Sequence, residues 1–271
     1  RRGEMQSVTR IPRGIRENRF ALAIQEIVAM DATRSSERHV ELLIRYRRQD
    51  GEWIPPRLFL PAAERYNMAT MLDRWVFVQV ANLLQQNPQL AQQGWVFNIN
   101  LSGQSVTNDE FLGFIISRMN ELKLPTRHIC FEITETSAIT NLSRAKHFIE
   151  SLKALGCRFA LDDFGSGLST FGYLKGLPVD YIKIDGQFVR DIENDAMDFA
   201  IVKSINEVGH VLGKQTIAEF VENDAIARKL ESIGVDWMQG FAMAKPMMLS
   251  EWLQQISMVA LPAAANGNRQ D

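Results

Sequence analysis

The chain has 271 residues, 46% of them hydrophobic and 23% charged, with a formal net charge of −2. Such a composition suits one large globular core and excludes disordered and fibrous classes. With no basic excess, duplex nucleic-acid binding is not expected, and no apolar run approaches the roughly 18 residues of a membrane span.

Only two cysteines occur, Cys130 and Cys157, each inside an apolar run and not in a C-x-x-C pair. They read as buried reduced thiols of a cytoplasmic protein, and no signal peptide is visible. The opening "RRGEMQ" lacks an initiating methionine, so the chain is expected to be a piece of a longer protein.

Residues 1–18 place Met5, Val8, Ile11 and Ile15 at helical spacing, interrupted by Pro12, and read as a lead-in helix or linker. From Phe20 onward short apolar runs alternate with longer amphipathic segments. Strands are predicted at "FALAIQEIVA", "VELLIRY", "GWVFNINLS", "RHICFEITE", "CRFALDD", "YIKID", "KQTIAE" and "VDWMQGF". Helices are predicted over 69–86, 108–121, 141–155, 195–211 and 223–232. This alternation implies parallel strands joined by crossover helices. Eight such strands at this length make an α/β chain of the (β/α)8, TIM-type barrel class, with its body over residues 19–258. The tail 259–271, which includes "LPAAANGNRQD", lacks periodicity and is expected to be disordered.

In such a barrel chemistry collects where the strands run out into loops. Those ends carry Asn100, Glu132, Asp162 with Asp163, Lys183, Glu219 and Gln239, while Glu41 lies within the second strand. Successive intervals from Asn100 are 32, 30, 21, 36 and 20 residues, each about one βα unit. The spacing puts these groups on one rim. Glu41, Asn100, Glu132, Asp162, Asp163 and Glu219 are all oxygen donors, which suits Mg²⁺ or Mn²⁺ rather than zinc. Their five carboxylates would repel one another without a cation. Two divalent ions could clamp the attacking and leaving oxygens of a phosphoryl displacement, and Lys183, framed by "YIKID", adds a charge able to act on phosphorus. His39, His128, His147 and His210 are scattered, so histidine-based metal chemistry is not expected. Side by side, Asp162 and Asp163 can share a site only where the strand ends and turns, and Gly165 and Gly167 are expected to permit that turn.

From about Gln25 to Pro246 the chain resembles the EAL-domain phosphodiesterases of bacterial cyclic di-GMP signalling. The residues that carry the resemblance are "ELLIR" (41–45), "NLS" (100–102), "EITE" (132–135), "DDFGSG" (162–167), "LPVDYIKID" (177–185), "AEFVE" (218–222) and "QGF" with "KP" (239–246). It implies a barrel whose first strand runs antiparallel to the rest, and hydrolysis of cyclic di-GMP to linear pGpG. It further implies that Glu41, Asn100, Glu132 and Asp162 hold one ion, and that Asp162 bridges to a second held with Asp163 and Glu219. Lys183 would position the attacking water, Arg45 would meet a substrate phosphate, and Gln25, Glu222 and Gln239 would line the cleft. Glu135 would tie down the loop 163–171. The resemblance also implies a homodimer and upstream sensor or cyclase domains. A degenerate relative would instead be a receptor that binds the dinucleotide without cutting it, but such chains lose metal ligands or the lysine.

Five positions depart from the family pattern, two of them mildly: Phe241 for tyrosine and Ser166 for threonine. Leu42 replaces the alanine of the signature, an apolar swap. Glu26 replaces a proline and is expected to bring an extra acid close to the site. Phe220 replaces the glycine after Glu219. Its ring is expected either to stack on a guanine or to pack as core, and the first placement is favoured.

Overall fold

A computed structural model describes residues 11–31, 36–167 and 171–259. The rest of the lead-in (1–10) and of the tail (260–271) lies outside the described residues. In chain order the strands are β1 (Phe20–Ala29), β2 (Arg38–Arg47), β3 (Trp53–Ile54), β4 (Trp95–Leu101), β5 (Ile129–Thr134), β6 (Arg158–Phe164), β7 (Tyr181–Ile184), β8 (Gln215–Ala218), β9 (Trp237–Met238) and β10 (Met247–Met248). The helices are α1 (residues 11–16), α2 (Leu60–Arg65), α3 (Ala69–Gln86), α4 (Gln89–Gln92), α5 (Gly103–Val106), α6 (Asp109–Leu122), α7 (Glu135–Thr140), α8 (Leu142–Lys153), α9 (Gly186–Arg190), α10 (Ala196–Val211), α11 (Asp224–Ile233) and α12 (Leu249–Val259).

Eight strands close a ring in the order β1-β2-β4-β5-β6-β7-β8-β9, and β9 returns to β1. β1 is antiparallel to both neighbours and the other pairings around the ring are parallel. The eight strands and the reversed first strand agree with the expectation from sequence. Short β3 and β10 pair onto β2 and β1 outside the ring.

Alternation along each strand creates two cores. Outward side chains such as Phe97, Phe131, Phe159 and Ile182 meet the helices in one large cluster. Inward, Ile27, Val96, Cys130, Ala160, Tyr181, Ile217 and Trp237 plug the barrel at the level below its polar mouth. Both cysteines are buried and free. Ile11 on α1 is 3% exposed and packs into the outer cluster. Pro12 lies near the start of the described helix, where its missing N–H is tolerated. Among the described residues no helix is long and apolar enough to cross a membrane.

The five helices predicted from sequence lie within two residues of their predicted bounds, because each has an apolar face that must be buried, whereas α12 is not among them. Sequence periodicity does not reveal α5, α7 and α9, each six residues or shorter, directly after β4, β5 and β7. Their caps are legible, however: Ser102, Thr134 and Asp185 each accept from a backbone N–H of the following turn.

Asp73 on α3 ties the outer layer to the rim, because its Oδ2 accepts from the Ser102 backbone N–H at 2.9 Å, from Ser102 Oγ at 2.7 Å and from Ser105 Oγ. Burial pushes the Asp73 carboxyl up to about 6. A folded-state value above the unfolded one means that folding takes up a proton, so this group's contribution is full below about pH 4 and is lost as pH rises through about 6. Asp73→Asn should keep an acceptor and remove that slope. Urea midpoints measured from pH 4.5 to 7.5 should therefore fall less steeply in the variant than in the parent, and parallel curves would contradict the assignment.

Candidate functional site

The mouth of the barrel is built from inward positions of successive strands. Alternation places Gln25, Glu41, Asn100, Glu132, Asp162, Lys183, Glu219 and Gln239 on the interior, at strand positions or just beyond a strand end. Lys183 is the centre. Its ammonium is fully buried and lies 3.1 Å from Glu41, 2.8 Å from Glu132, 3.1 Å from Glu219 and 3.7 Å from Asp162.

Amides complete the inner ring. Asn100 Nδ2 donates to Glu41 Oε1 at 2.7 Å, and Gln239 Nε2 donates to Glu41 Oε2 at 2.6 Å. Gln239 Nε2 also lies 3.2 Å from Gln25 Oε1, and Gln25 Nε2 reaches the Ala244 carbonyl at 3.0 Å. Asn98, which does not stand at a strand end, donates to Glu132 Oε1 at 2.7 Å. It lies two residues before Asn100, so strand alternation is the signal that finds it. Gln239 Oε1 is buried with no partner among the described residues.

The six candidate oxygen donors fall into two groups, with Asp162 near both. Carboxylate oxygens of Asp162, Asp163 and Glu219 lie within 4.8 Å of one another and could hold a metal ion. Glu41, Asn100 and Glu132 instead meet around the Lys183 ammonium, directly or through Glu41.

The electrostatics show too much negative charge for one lysine. Burial, then the Glu41 carboxylate, pushes Glu132 up to about 8. Burial and Asp162 raise Asp163 to about 6 and drive Glu219 well above the carboxylate range. Burial also raises Asp162. Glu41 goes the other way: burial opposes its ionisation, but Lys183 and the amides of Asn100 and Gln239 outweigh burial and hold it low. Burial opposes the Lys183 charge too, yet Asp162, Glu132, Glu219 and Glu41 hold it well above the usual value, so it stays an ammonium.

Two backbone turns let consecutive residues enter the site. Asp163 has φ +52°, and the β6–β7 register shifts between Leu161 and Phe164. The acid itself therefore takes the left-handed conformation, ahead of Gly165 at φ +97°, so the turn does not rest on the glycines alone. Asp162 Oδ1 accepts the Asp163 N–H at 2.9 Å. Glu135, 2% exposed, accepts from the Gly165 N–H at 3.0 Å and from the Tyr173 hydroxyl, on either side of the undescribed residues 168–170.

Phe220 at φ +55° makes the second turn, immediately after Glu219. A glycine would adopt that angle without strain. The ring is 50% exposed, so it is not core. It covers Gly186, where an added Cβ would come within 2.0 Å of Phe220 Cδ2, and the Arg190 guanidinium lies 5.6 Å from the ring centre.

Other sequence-derived residues are more peripheral. Arg45 shares the inward face of β2 with Glu41; burial lowers its guanidinium from the usual value and the Glu41 charge opposes that. Glu222 is exposed on the loop before α11 and takes no part in the inner ring. Glu26 is a correction: its neighbour Gln25 faces the mouth, so Glu26 faces outward and accepts from Trp252 Nε1 at 3.3 Å.

A family profile described as EAL domain matches residues 8–246. The chain is 41% identical over 246 residues to the cyclic di-GMP phosphodiesterase PdeB of Shewanella oneidensis, covering 91% of this chain and 28% of that protein. It is 32% identical over 249 residues to the cyclic di-GMP phosphodiesterase PdeF of Escherichia coli, covering 92% and 33%. The chain thus spans about a third of the length of these curated relatives. Among solved structures, the PaMucR phosphodiesterase in its c-di-GMP complex aligns with a TM-score of 0.83 at 26% identity, over 91% of this chain and 99% of that one. The FimX EAL domain of Pseudomonas aeruginosa bound to c-di-GMP aligns with a TM-score of 0.81 at 29% identity, over 89% and 96%.

The contact between Phe220 and Gly186 can be tested by a double-mutant cycle. Gly186→Ala should destabilise the fold by about 1–3 kcal/mol through overpacking. In a Phe220→Gly background, which removes the ring and the strained angle, the same change should cost almost nothing. Additive losses in chemical denaturation would mean that the ring does not cover Gly186.

Proposed function

This chain belongs to the EAL-domain family, and on that basis we propose that it hydrolyses cyclic di-GMP to linear pGpG with two Mg²⁺ or Mn²⁺ ions. The observation that carries the reading is the buried Lys183 ammonium among Glu41, Glu132, Asp162 and Glu219. The oxygen-only donor set fits hard divalent cations. The raised carboxyls of Glu132, Asp162, Asp163 and Glu219 mark a charge deficit that such cations relieve.

Glu41, Asn100, Glu132 and Asp162 would hold one ion, and Asp162, Asp163 and Glu219 the other. When bound, such ions supply Lewis-acid activation of water and neutralise charge on phosphate oxygens. The surrounding carboxylates hold Lys183 well above its usual value, so it serves as a donor and a fixed positive charge. It orients the attacking water and stabilises charge on the phosphoryl oxygens. The water oxygen bonds to phosphorus as the bond from phosphorus to the ribose 3′ oxygen breaks. Across the step one proton of the water ends on that oxygen, giving a linear dinucleotide with a free 3′ hydroxyl and a 5′ phosphate. Arg45 meets a phosphate, and Gln25, Glu222 and Gln239 line the cleft. Gln239 Oε1, buried and without a partner among the described residues, supports that role as an acceptor at the cleft wall. Glu135 anchors the loop that carries Asp163, as its bonds on both sides of residues 168–170 suggest.

A receptor that holds the dinucleotide without cutting it would be expected to lack a ligand or the lysine, and here each position is filled. Upstream sensor or cyclase domains, a cytoplasmic setting and a homodimer belong to the same proposal. Pairing would use the exposed apolar face around Phe171 and Met197.

Incubating the chain with cyclic di-GMP and Mn²⁺ and separating the products should yield linear pGpG, and none in excess chelator. Intact dinucleotide recovered with bound Mn²⁺ would make the protein a receptor. Lys183→Ala should lower kcat by about 10²–10³-fold while KM changes little. A variant that loses binding with kcat intact would make Lys183 a binding residue instead.

A further inference from the structure

A line of polar groups, half-buried at its lower end and buried above, runs from below the apolar plug to the site. Arg158 pairs with Glu37 at the lower end, and its Nη1 donates to the Tyr181 hydroxyl at 3.0 Å. That hydroxyl lies 3.5 Å from His39 Nε2, His39 Nδ1 lies 3.2 Å from Asn98 Oδ1, and Asn98 Nδ2 donates to Glu132 Oε1 at 2.7 Å. His39 is 1% exposed and Asn98 is fully buried.

The chemistry of these groups fixes the direction of the stretch from Glu132 to His39. In the ionised form that ligates a cation Glu132 only accepts, so the Asn98 amide nitrogen faces Glu132 and its oxygen faces His39. His39 therefore carries a proton on Nδ1, while its Nε2 faces both the Tyr181 hydroxyl at 3.5 Å and the Glu37 carboxylate at 3.9 Å. The tyrosine oxygen accepts from Arg158, which only donates. Their neighbours in the barrel are Ile27, Val96, Cys130, Ala160, Ile217 and Trp237. An apolar pair at 39 and 98 would fill that space without the desolvation cost of buried polar groups.

We infer that Asn98 and His39 are positioning residues that hold the Glu132 carboxylate in the orientation needed to ligate a divalent cation. The inference rests on the reading of Glu132 as a cation ligand. Glu132 has one oxygen on Asn98 and the other on Lys183. Without a donor at position 39, the Asn98 amide is free to turn end for end, and its oxygen then faces the carboxylate. Groups that orient a metal ligand in this way typically contribute 10–100-fold in metal affinity.

The test is calorimetric titration of the metal-free chain with Mn²⁺, together with thermal midpoints. Asn98→Leu, close in volume, should weaken Mn²⁺ binding by about 10–100-fold. His39→Gln places its amide near the Nε2 position and should also weaken binding. His39→Asn places a donor near the Nδ1 position and should keep wild-type affinity. Folded variants that all bind Mn²⁺ as tightly as the parent would reduce the line to core packing. If Asn98→Leu does not fold, the two His39 variants decide, and equal affinity in both overturns the inference. Failure of the parent chain to bind Mn²⁺ would overturn the reading of Glu132 as a ligand as well.

Discussion

One buried ammonium sets the terms for the barrel mouth. Lys183 has no exposure to solvent and sits within 3.7 Å of four carboxylates. A lysine taken out of water is tolerable only when it is closely paired, and an acid in that place is tolerable only beside a cation. The pairing does not balance: Glu132, Asp162, Asp163 and Glu219 are all held above their usual range. A fold that keeps this imbalance at one end of its barrel is primed for additional positive charge there. Stability alone would favour fewer acids.

The scaffold meets that demand by dividing labour along each strand. Outward positions carry aromatic and branched side chains into the helix layer, and lower inward positions close the barrel with an apolar plug. Upper inward positions are then free to be polar, because the strands they stand on are already fixed on both sides. Asp73 extends this control from the helix layer to the β4 end by gripping Ser102 and Ser105, so the turn beside Asn100 is held from behind.

The rim also stores backbone strain where side chains must converge. Asp163 and Phe220 both adopt positive φ, each immediately after a site acid. Such angles persist in non-glycine residues only when the surroundings over-determine them. At Asp163 the surroundings include the bulge in β6 and the grip of Glu135 on Gly165. At Phe220 they include the ring seated over Gly186. Gly240 shows the same crowding between strand ends, since an added Cβ would lie 2.3 Å from Val221 backbone atoms.

Periodicity in the sequence determined the barrel: apolar runs of strand length alternate with amphipathic helical stretches, and burying both patterns at once leaves few architectures. It also determined the chemistry of the mouth, because polar residues at the ends of otherwise apolar strands recur once per βα unit. Short helices such as α5, α7 and α9 escaped it, since six residues or fewer give no period to read. Only the tertiary structure decided which polar neighbours point where. Glu26 turns away to Trp252 while Gln25 enters the ring, and His39 and Asn98, distant in sequence, meet inside the barrel. It alone decided that the acid Asp163 makes its own turn and that the Phe220 ring lies over Gly186. Local sequence encodes which face a residue takes on its own strand, but contacts between strands depend on the register and closure of the whole ring, which no single segment contains.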